Sequence, residues 1–550
     1  MRLARATRQT LIAGTVSTAL AVIGVAAAPA AYAGPGPGRA TAGSSTESSG
    51  SLATIATRTG AADLWACGWT GRGVGVALVD TGVAPVAGTG AIVNGPDLSF
   101  EAQAGAPRSL DGDGHGTHLA SIINGRDAGF SVDRSQCRLD PVRRAAARAT
   151  RTTGSTAHGF TGIAPDAHIV NVKVGDADGA ADVTQVIAAI DWVVQHRDTE
   201  GRNIRVLALA YAASDPQGNW RSDPLSHAVD IARSNGIVVV AAAGNDGSTS
   251  TELAFPAQNP NIVAVNAVDY HGSVDPSDWT VADFSSRGSN RRGPDLIAPG
   301  VSVEGLAVPG SVAALANPTS VVAGRFIKGT GTSQATAVTA GLAALLVQRY
   351  PHATPAQVKA MLVDSAKTVN GAPRSLQGAG VPVADRLLVV GPSPSTKEPD
   401  AQTTGTAPID GLRTDGTVTL GEVPLHGEID AQGQPWDAQA WARGAAAGTS
   451  WQGGSWRGQL WSGDASTGWQ PTTWATSWDP AVVWADVTIN APTWDGIRWA
   501  GDGWAGIRWA GVRWAGVRWA GVRWAGVRWA GIRWAGIRWA GYGWASASWT

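Results

Sequence analysis

At 550 residues, 44% of them hydrophobic, the chain has room for roughly two to four domains and a large core. Its 42 Lys+Arg balance 43 Asp+Glu, a net charge of −1, which excludes a protein that is basic throughout, such as a nucleic-acid coat. Two cysteines exclude a disulfide-dense scaffold and a Cys-rich zinc array. Of the 26 tryptophans, 21 lie at or after Trp436 and five before it (Trp65, Trp69, Trp192, Trp220 and Trp279), so the chain has two compositional regimes.

From the N-terminus, Arg2, Arg5 and Arg8 precede an uncharged apolar run, Leu11 to Ala28, and Ala31-Tyr32-Ala33 is a small-x-small cleavage site. Residues 1–33 are therefore expected to be a secretory signal peptide; Gly, Thr and Ser dilute the run too much for a retained anchor. Export is compatible with a Cys67–Cys137 disulfide, although spacing alone does not fix its geometry. Residues 34–61, rich in Gly, Pro, Ser and Thr, are expected to be a flexible linker or short propeptide, too short for a core of its own.

From Gly73 to about Val390, β-branched runs (Val74–Val79, Ile169–Val174, Val206–Leu209, Ile237–Ala242, Ile262–Val268) alternate with stretches apolar at i, i+3 and i+4 (Val183–His196, Leu225–Asn235, Ala335–Tyr350). The alternation predicts an α/β domain over 62–390, a doubly wound, mostly parallel sheet with helices on both faces. An Arg-rich stretch with Arg143, Arg144, Arg148 and Arg151 reads as a solvated insertion. Residues 391–435, opening with a Pro/Ser/Thr-rich run, are expected to be a second linker, and 436–550 a Trp/Gly/Arg-rich repeat region.

Three short segments carry chemistry. Val76-Ala-Leu-Val-Asp80-Thr-Gly82 ends a buried strand, and open α/β sheets place their sites at such ends. Asp111-Gly-Asp-Gly-His115-Gly-Thr-His118 leads into a helix, and Gly329-Thr-Gly-Thr-Ser333-Gln-Ala opens another. A Ser, a His and an Asp at element ends are the parts of a hydroxyl nucleophile, its base and the base's orienter. A serine at a helix N-terminus also has backbone N–H groups and a favourable dipole nearby. Each segment alone is a common turn or cap; the three together are not.

These segments resemble the subtilisin-like serine protease family, in the form of a secreted actinobacterial member with a Trp-rich repeat tail. The resemblance runs from roughly Ala62 to Arg386. It implies that Ser333 is the nucleophile, His115 its base and Asp80 the orienting carboxylate. Ala241-Ala-Ala-Gly-Asn245-Asp-Gly247 resembles the family's oxyanion segment, so Asn245 is expected to donate its side-chain amide. Supporting matches are Gly162–Ala167, Phe284–Gly288 and Asp295–Gly300, and His118 reads as structural. The resemblance implies a serine endopeptidase acting on protein or peptide substrates, with no cofactor required for the chemistry and no nucleic-acid partner. Structural calcium is compatible with it, and no pattern marks a site.

The sequence departs from the family's pattern in places. Ala337 stands where proline is usual. Ala208, Ala210 and Ala212 replace Asn, Ser and Gly on the strand that pairs with substrate, and a methyl at Ala212 narrows the cleft rim. The uncharged walls, Ala210–Ala212 and Ala241–Gly244, predict a preference for apolar or aromatic residues before the scissile bond. No folded inhibitory prodomain is legible over 34–61. An alternative function follows from these departures: a weakly active or inactive protease fold acting through its tail.

In that tail a Trp recurs every fifth residue from Trp494 to Trp549, with the unit Trp-Ala-Gly-[Val/Ile]-Arg. Period five fits neither a helix nor a simple strand. It fits a pentapeptide-like β-solenoid with Val512, Val517, Val522 and Ile532 inward and Trp and Arg outside. It also fits a disordered tail that inserts Trp at membrane or cell-wall surfaces, or a spacer. Eight Arg against two Asp after Trp494 leave a net charge of +6, suited to cell-wall polymers or an anionic membrane surface.

Overall fold

The computed structural model describes residues 50–100, 109–132, 134–138 and 159–461, with short breaks at 178, 214, 216–217, 248–249, 274, 414–417 and 421–422, and the backbone of four short strands in the repeat. The expected signal peptide, residues 34–49 and the Arg143–Arg151 stretch lie outside the described residues.

The first helix, α1 (Leu52–Thr59), falls inside the expected linker. Ser51 caps it, Gly60 ends it at φ 90°, and Leu52, Ile55, Ala56 and Thr59 are buried. These four fall at i, i+3, i+4 and i+7, so one face of the helix joins the main core. After α2 (Ala61–Ala66), Cys67 is disulfide-bonded to Cys137.

The strands β1 (Gly75–Asp80), β2 (Ala91–Asp97), β3 (His168–Lys173), β4 (Ile204–Leu209), β5 (Val238–Ala242) and β6 (Val263–Asp269) pair in parallel in the order β2-β3-β1-β4-β5-β6. Beyond them β7 (Thr280–Val281) joins β6 antiparallel and β8 (Leu296–Pro299) joins it in parallel. All six residues of β1 are buried, as a central parallel strand covered on both faces requires. The order reverses at β1, with β3 on one side and β4 on the other. A crevice therefore opens at the C-terminal end of β1, where Asp80 sits.

Helices α3 (His115–Asn124), α4 (Val183–His196) and α5 (Pro224–Ser234) flank the sheet. Asp182 and Gln185 form a capping box on α4, and Asp223 caps α5 ahead of Pro224. A second small sheet joins β9 (Val303–Leu306), β10 (Val321–Val322) and β11 (Phe326–Thr330). A short helix, α6 (Val312–Ala316), interrupts it, and β11 feeds directly into α7 (Thr332–Arg349). Residues Thr332 to Val347 of α7 are all buried, so this span has no solvent-facing stripe. It packs against α3 and over β4, β5, β6 and β8. Helix α8 (Pro355–Asp364) packs behind it.

The expected second linker instead forms a strap. Glu398 pairs with buried Arg233, and Thr403 Oγ1 donates to Asp230 (3.0 Å). Arg413 is bidentate on Asp182, at 2.7 and 3.1 Å. Past Trp436, helix α9 (Ala438–Ala447) packs on α5, and the strand segment at Trp451–Gln452 packs on α4. The indole N–H groups of Trp441 and Trp456 both donate to Asp191 Oδ2 at 2.9 Å, and that of Trp451 donates to the Ala188 carbonyl (2.8 Å). Arg457 lies over the rings of Trp436 (4.7 Å) and Trp456 (5.4 Å) while pairing with Asp430. Residues 398–461 are thus held to the catalytic layer, with Ile409, Leu412, Leu425 and five tryptophans in its core.

In the repeat, Ile497–Trp499 pairs with Ile507–Trp509 and with β11, and Arg523–Arg528 with Arg538–Ala540. All are antiparallel, whereas the stacked coils of a solenoid pair in parallel. The side chains of Val512, Val517, Val522 and Ile532, expected inside a solenoid, lie outside the described residues.

Candidate active site

Asp80 closes β1 and accepts the Thr81 backbone N–H at 2.8 Å. The same Oδ1 lies 2.8 Å from His115 Nδ1, with both side chains fully buried. His115 is the first residue of α3, and the glycines around it allow the approach. Gly114 before it is at φ 105°. A Cβ on Gly116 would lie 2.1 Å from the Gly82 carbonyl oxygen, so only glycine lets the first turn of α3 close on the loop after β1. Asp111 ties the two loops together, accepting from Thr81 Oγ1, Gly114 N, Thr117 N and Thr117 Oγ1 at 2.6–2.8 Å.

Burial alone would push the His115 imidazole down. The charge and hydrogen bond of Asp80, with the charges of Asp113 and Asp111, outweigh it and hold His115 above the ordinary histidine value. His118 behaves oppositely: burial, and then the neighbouring His115, lower it to about 3. Its ring lies against Gly305 and Gly329, on the β9–β11 side, as a structural histidine would.

Ser333 is the second residue of α7, buried, and its Oγ makes no hydrogen bond within the described protein. Helix α3, which His115 opens, packs against α7, which carries Ser333 in its first turn. Asn245 follows β5. Its Oδ1 accepts both the backbone N–H (2.9 Å) and the hydroxyl (3.0 Å) of Thr332, the residue before Ser333. That anchors the planar amide by its carbonyl end, with the NH2 group at the opposite end. Sequence reading picks out Asp80, His115, Ser333 and Asn245 but not Thr332, Thr81, Asp111 or Asp113. The signal for all four lies inside the quoted motifs, as the residues between the singled-out ones.

On the expected substrate strand, Ala208 and Ala210 are buried and Ala212 is half-buried. The chain then exchanges two backbone hydrogen bonds between Ala213 and Phe255, at 3.0 and 2.8 Å. Ala337 lies buried in the second turn of α7, whose helix runs unbroken. Among the described residues, no group of three or more His, Cys, Asp or Glu side chains is arranged to hold a metal ion, and no helix is long and apolar enough to cross a membrane.

A buried acid–imidazole pair stands at the strand-order switch and a buried serine opens α7, the component parts of a serine hydrolase on an α/β fold. Comparison with known proteins narrows it. The sequence signature of the subtilase family matches residues 71–380, and the chain belongs to that family. It is 31% identical over 326 residues to serine protease AprX of Bacillus subtilis (strain 168), covering 58% of this chain and 67% of that one. It is likewise 31% identical over 319 residues to subtilisin BL and to subtilisin Savinase of Lederbergia lenta, covering 57% of this chain and 90% of each. The protein is a serine-type endopeptidase with a subtilisin-like fold, and subtilases need no cofactor for catalysis.

Proposed function

We propose that Ser333, His115 and Asp80 perform the peptide hydrolysis, with Asn245 as oxyanion donor. The observation that carries this is the buried 2.8 Å contact between His115 and Asp80 at the switch point, on a helix that packs against α7. His115 takes the proton of Ser333 as Oγ attacks the scissile carbonyl, and Asp80 fixes the ring's tautomer and stabilises the imidazolium. The tetrahedral oxyanion is met by the Asn245 amide and the backbone N–H groups at the start of α7. His115 then returns the proton to the leaving amine, and water repeats the sequence on the acyl-enzyme.

His115 accepts a proton only when neutral, so kcat/KM rises with pH through its pKa. Because the surrounding carboxylates hold that pKa above the ordinary value, the midpoint is expected above about 6.5. Activity measured from pH 5 to 10 checks this; a midpoint below that value contradicts it. Asn245→Ala is expected to lower kcat by about 10²–10³-fold with KM little changed, since the oxyanion exists only after attack. Steady-state kinetics on one peptide substrate check this, and an equal loss confined to KM counts against the role.

The uncharged walls Ala210–Ala212 and Ala241–Gly244 support a preference for apolar residues before the scissile bond. The signal-like N-terminus supports export, and the +6 repeat supports attachment to cell-wall polymers or an anionic membrane. Nothing in the described residues favours a silent protease fold acting through the tail alone.

A further inference from the structure

Strand β11 carries the chain into the start of α7, and its two edges are used differently. Along one edge β9 pairs with Phe326 to Gly329. The two-residue β10 pairs with Phe326 and Ile327, which β9 already holds, so β10 lies on the opposite edge. Beyond β10 that second edge takes a strand of the tryptophan-rich repeat: Trp499 pairs with Gly329 and Arg498 with Thr330, antiparallel. Gly329 also pairs with Val303 of β9, which places the repeat strand on the β10 side. Ile507–Trp509 backs it on its far side. Thr330 is followed, across Gly331 and Thr332, by Ser333. The antiparallel register turns the N-terminal end of the repeat strand, Ile497, toward the start of α7. Gly331 N donates to the Gly300 carbonyl (2.8 Å) and Thr332 N to Asn245, so the turn from this edge to the nucleophile is held in place.

We propose that the repeat is an intramolecular competitor of substrate: its strand Ile497–Trp499 occupies the edge of β11 that leads to Ser333, along which a bound peptide extends. The proposal rests on the catalytic reading above and gives the tail a regulatory role within it. An open strand edge offers backbone N–H and C=O groups to any extended chain, whatever its side chains. The tail and a long peptide substrate therefore draw on the same groups at Gly329 and Thr330. Main-chain bonds alone hold a short strand weakly. Residues 462–496, however, tether it to the strap, and a tether of that length gives an effective concentration on the order of 1 mM. A segment with a dissociation constant of about 0.1 mM in trans then fills the edge about nine-tenths of the time. Substrate has to displace it, so the apparent KM rises by about tenfold while kcat, reached at saturation, is unchanged. Ile-Arg-Trp and Val-Arg-Trp recur through the repeat, so one unit replaces another and only loss of the whole tail opens the edge.

The test uses the full chain with a recognition sequence for a site-specific cysteine protease inserted after Trp461, so that the protein folds before its tail is released. Release is expected to lower KM for a long peptide substrate by about tenfold at unchanged kcat. A synthetic peptide of residues 494–509, added back to the released enzyme, should inhibit competitively with a midpoint of about 0.1 mM. The same peptide N-methylated at Ile497–Trp499 and Ile507–Trp509 keeps every side chain and charge but loses its main-chain donors, and it should not inhibit. A KM unchanged on release, a change in kcat alone, no inhibition by the unmethylated peptide, or equal inhibition by the methylated one overturns the proposal. Failure of the catalytic reading looks different, because then neither the intact nor the released form hydrolyses peptide.

Discussion

Ser333→Ala is expected to remove hydrolysis while leaving the fold in place. A nucleophile that works as one unit with its base and orienter costs about 10⁶-fold in kcat when deleted, because the remaining two groups have nothing to activate. The residual rate over water then comes from the oxyanion donors and substrate binding. Ser333 Oγ makes no hydrogen bond within the described protein, so its loss orphans no partner. Alanine also suits a helix whose neighbouring positions Ala335, Ala337 and Ala340 are already buried alanines. The variant should keep the wild-type denaturant midpoint while kcat falls to background. A Ser333→Ala enzyme that still turns over at a tenth of the wild-type rate would remove Ser333 from the mechanism.

The largest stability effect is expected from Trp441→Ala, in the strap. Trp441 is fully buried, tilted against Trp436 (5.3 Å), edge-on to His227 (5.5 Å), and one of two indoles bonded to Asp191. Deleting it empties a large cavity, costing about 3–5 kcal/mol. It also strips one donor from a buried carboxylate. Burial already holds Asp191 up at about 6, against the pull of the Trp456 and Trp441 hydrogen bonds, so losing one leaves its charge less compensated. The exposed Arg443 on the same helix supplies the control: Arg443→Ala should stay within about 0.5 kcal/mol. Chemical denaturation of both variants tests this. Equal midpoints for Trp441→Ala and wild type would mean that the strap contributes nothing to the stability of the catalytic layer.

The strap shows where sequence reading stops. The central strands and the helices Val183–His196 and Thr332–Arg349 are legible because their apolar periods are long and local, and His115 and Ser333 because glycine-rich motifs surround them. Residues 391–435 open with a Pro/Ser/Thr-rich run, and composition cannot distinguish a free linker from one whose partners lie far back in the chain. Arg413 is understood only through Asp182, and Trp441 through Asp191, each more than two hundred residues away in sequence. Helix α1 is hidden for another reason. Leu52, Ile55, Ala56 and Thr59 have the right spacing, but eight residues behind a Ser/Gly-rich run are too few for periodicity to stand out. In the tail the five-residue period is plain, yet the same period admits antiparallel hairpins as well as stacked coils. The site was incompletely legible too, since Asp113 and Asp111 look alike in sequence. Only the hydrogen-bond partners separate Asp111, which ties two loops together, from Asp113, which accepts the His115 backbone N–H.

The most direct test of the catalytic assignment is covalent labelling with a fluorophosphonate probe, followed by peptide mapping, in wild type and Ser333→Ala of equal thermal stability. The expected result is one labelled peptide, carrying the adduct on Ser333, in the wild type, with label lost below the His115 titration and absent from the variant. A folded wild-type protein that takes up no label between pH 8 and 9, or that takes it up equally after Ser333→Ala, would contradict the assignment.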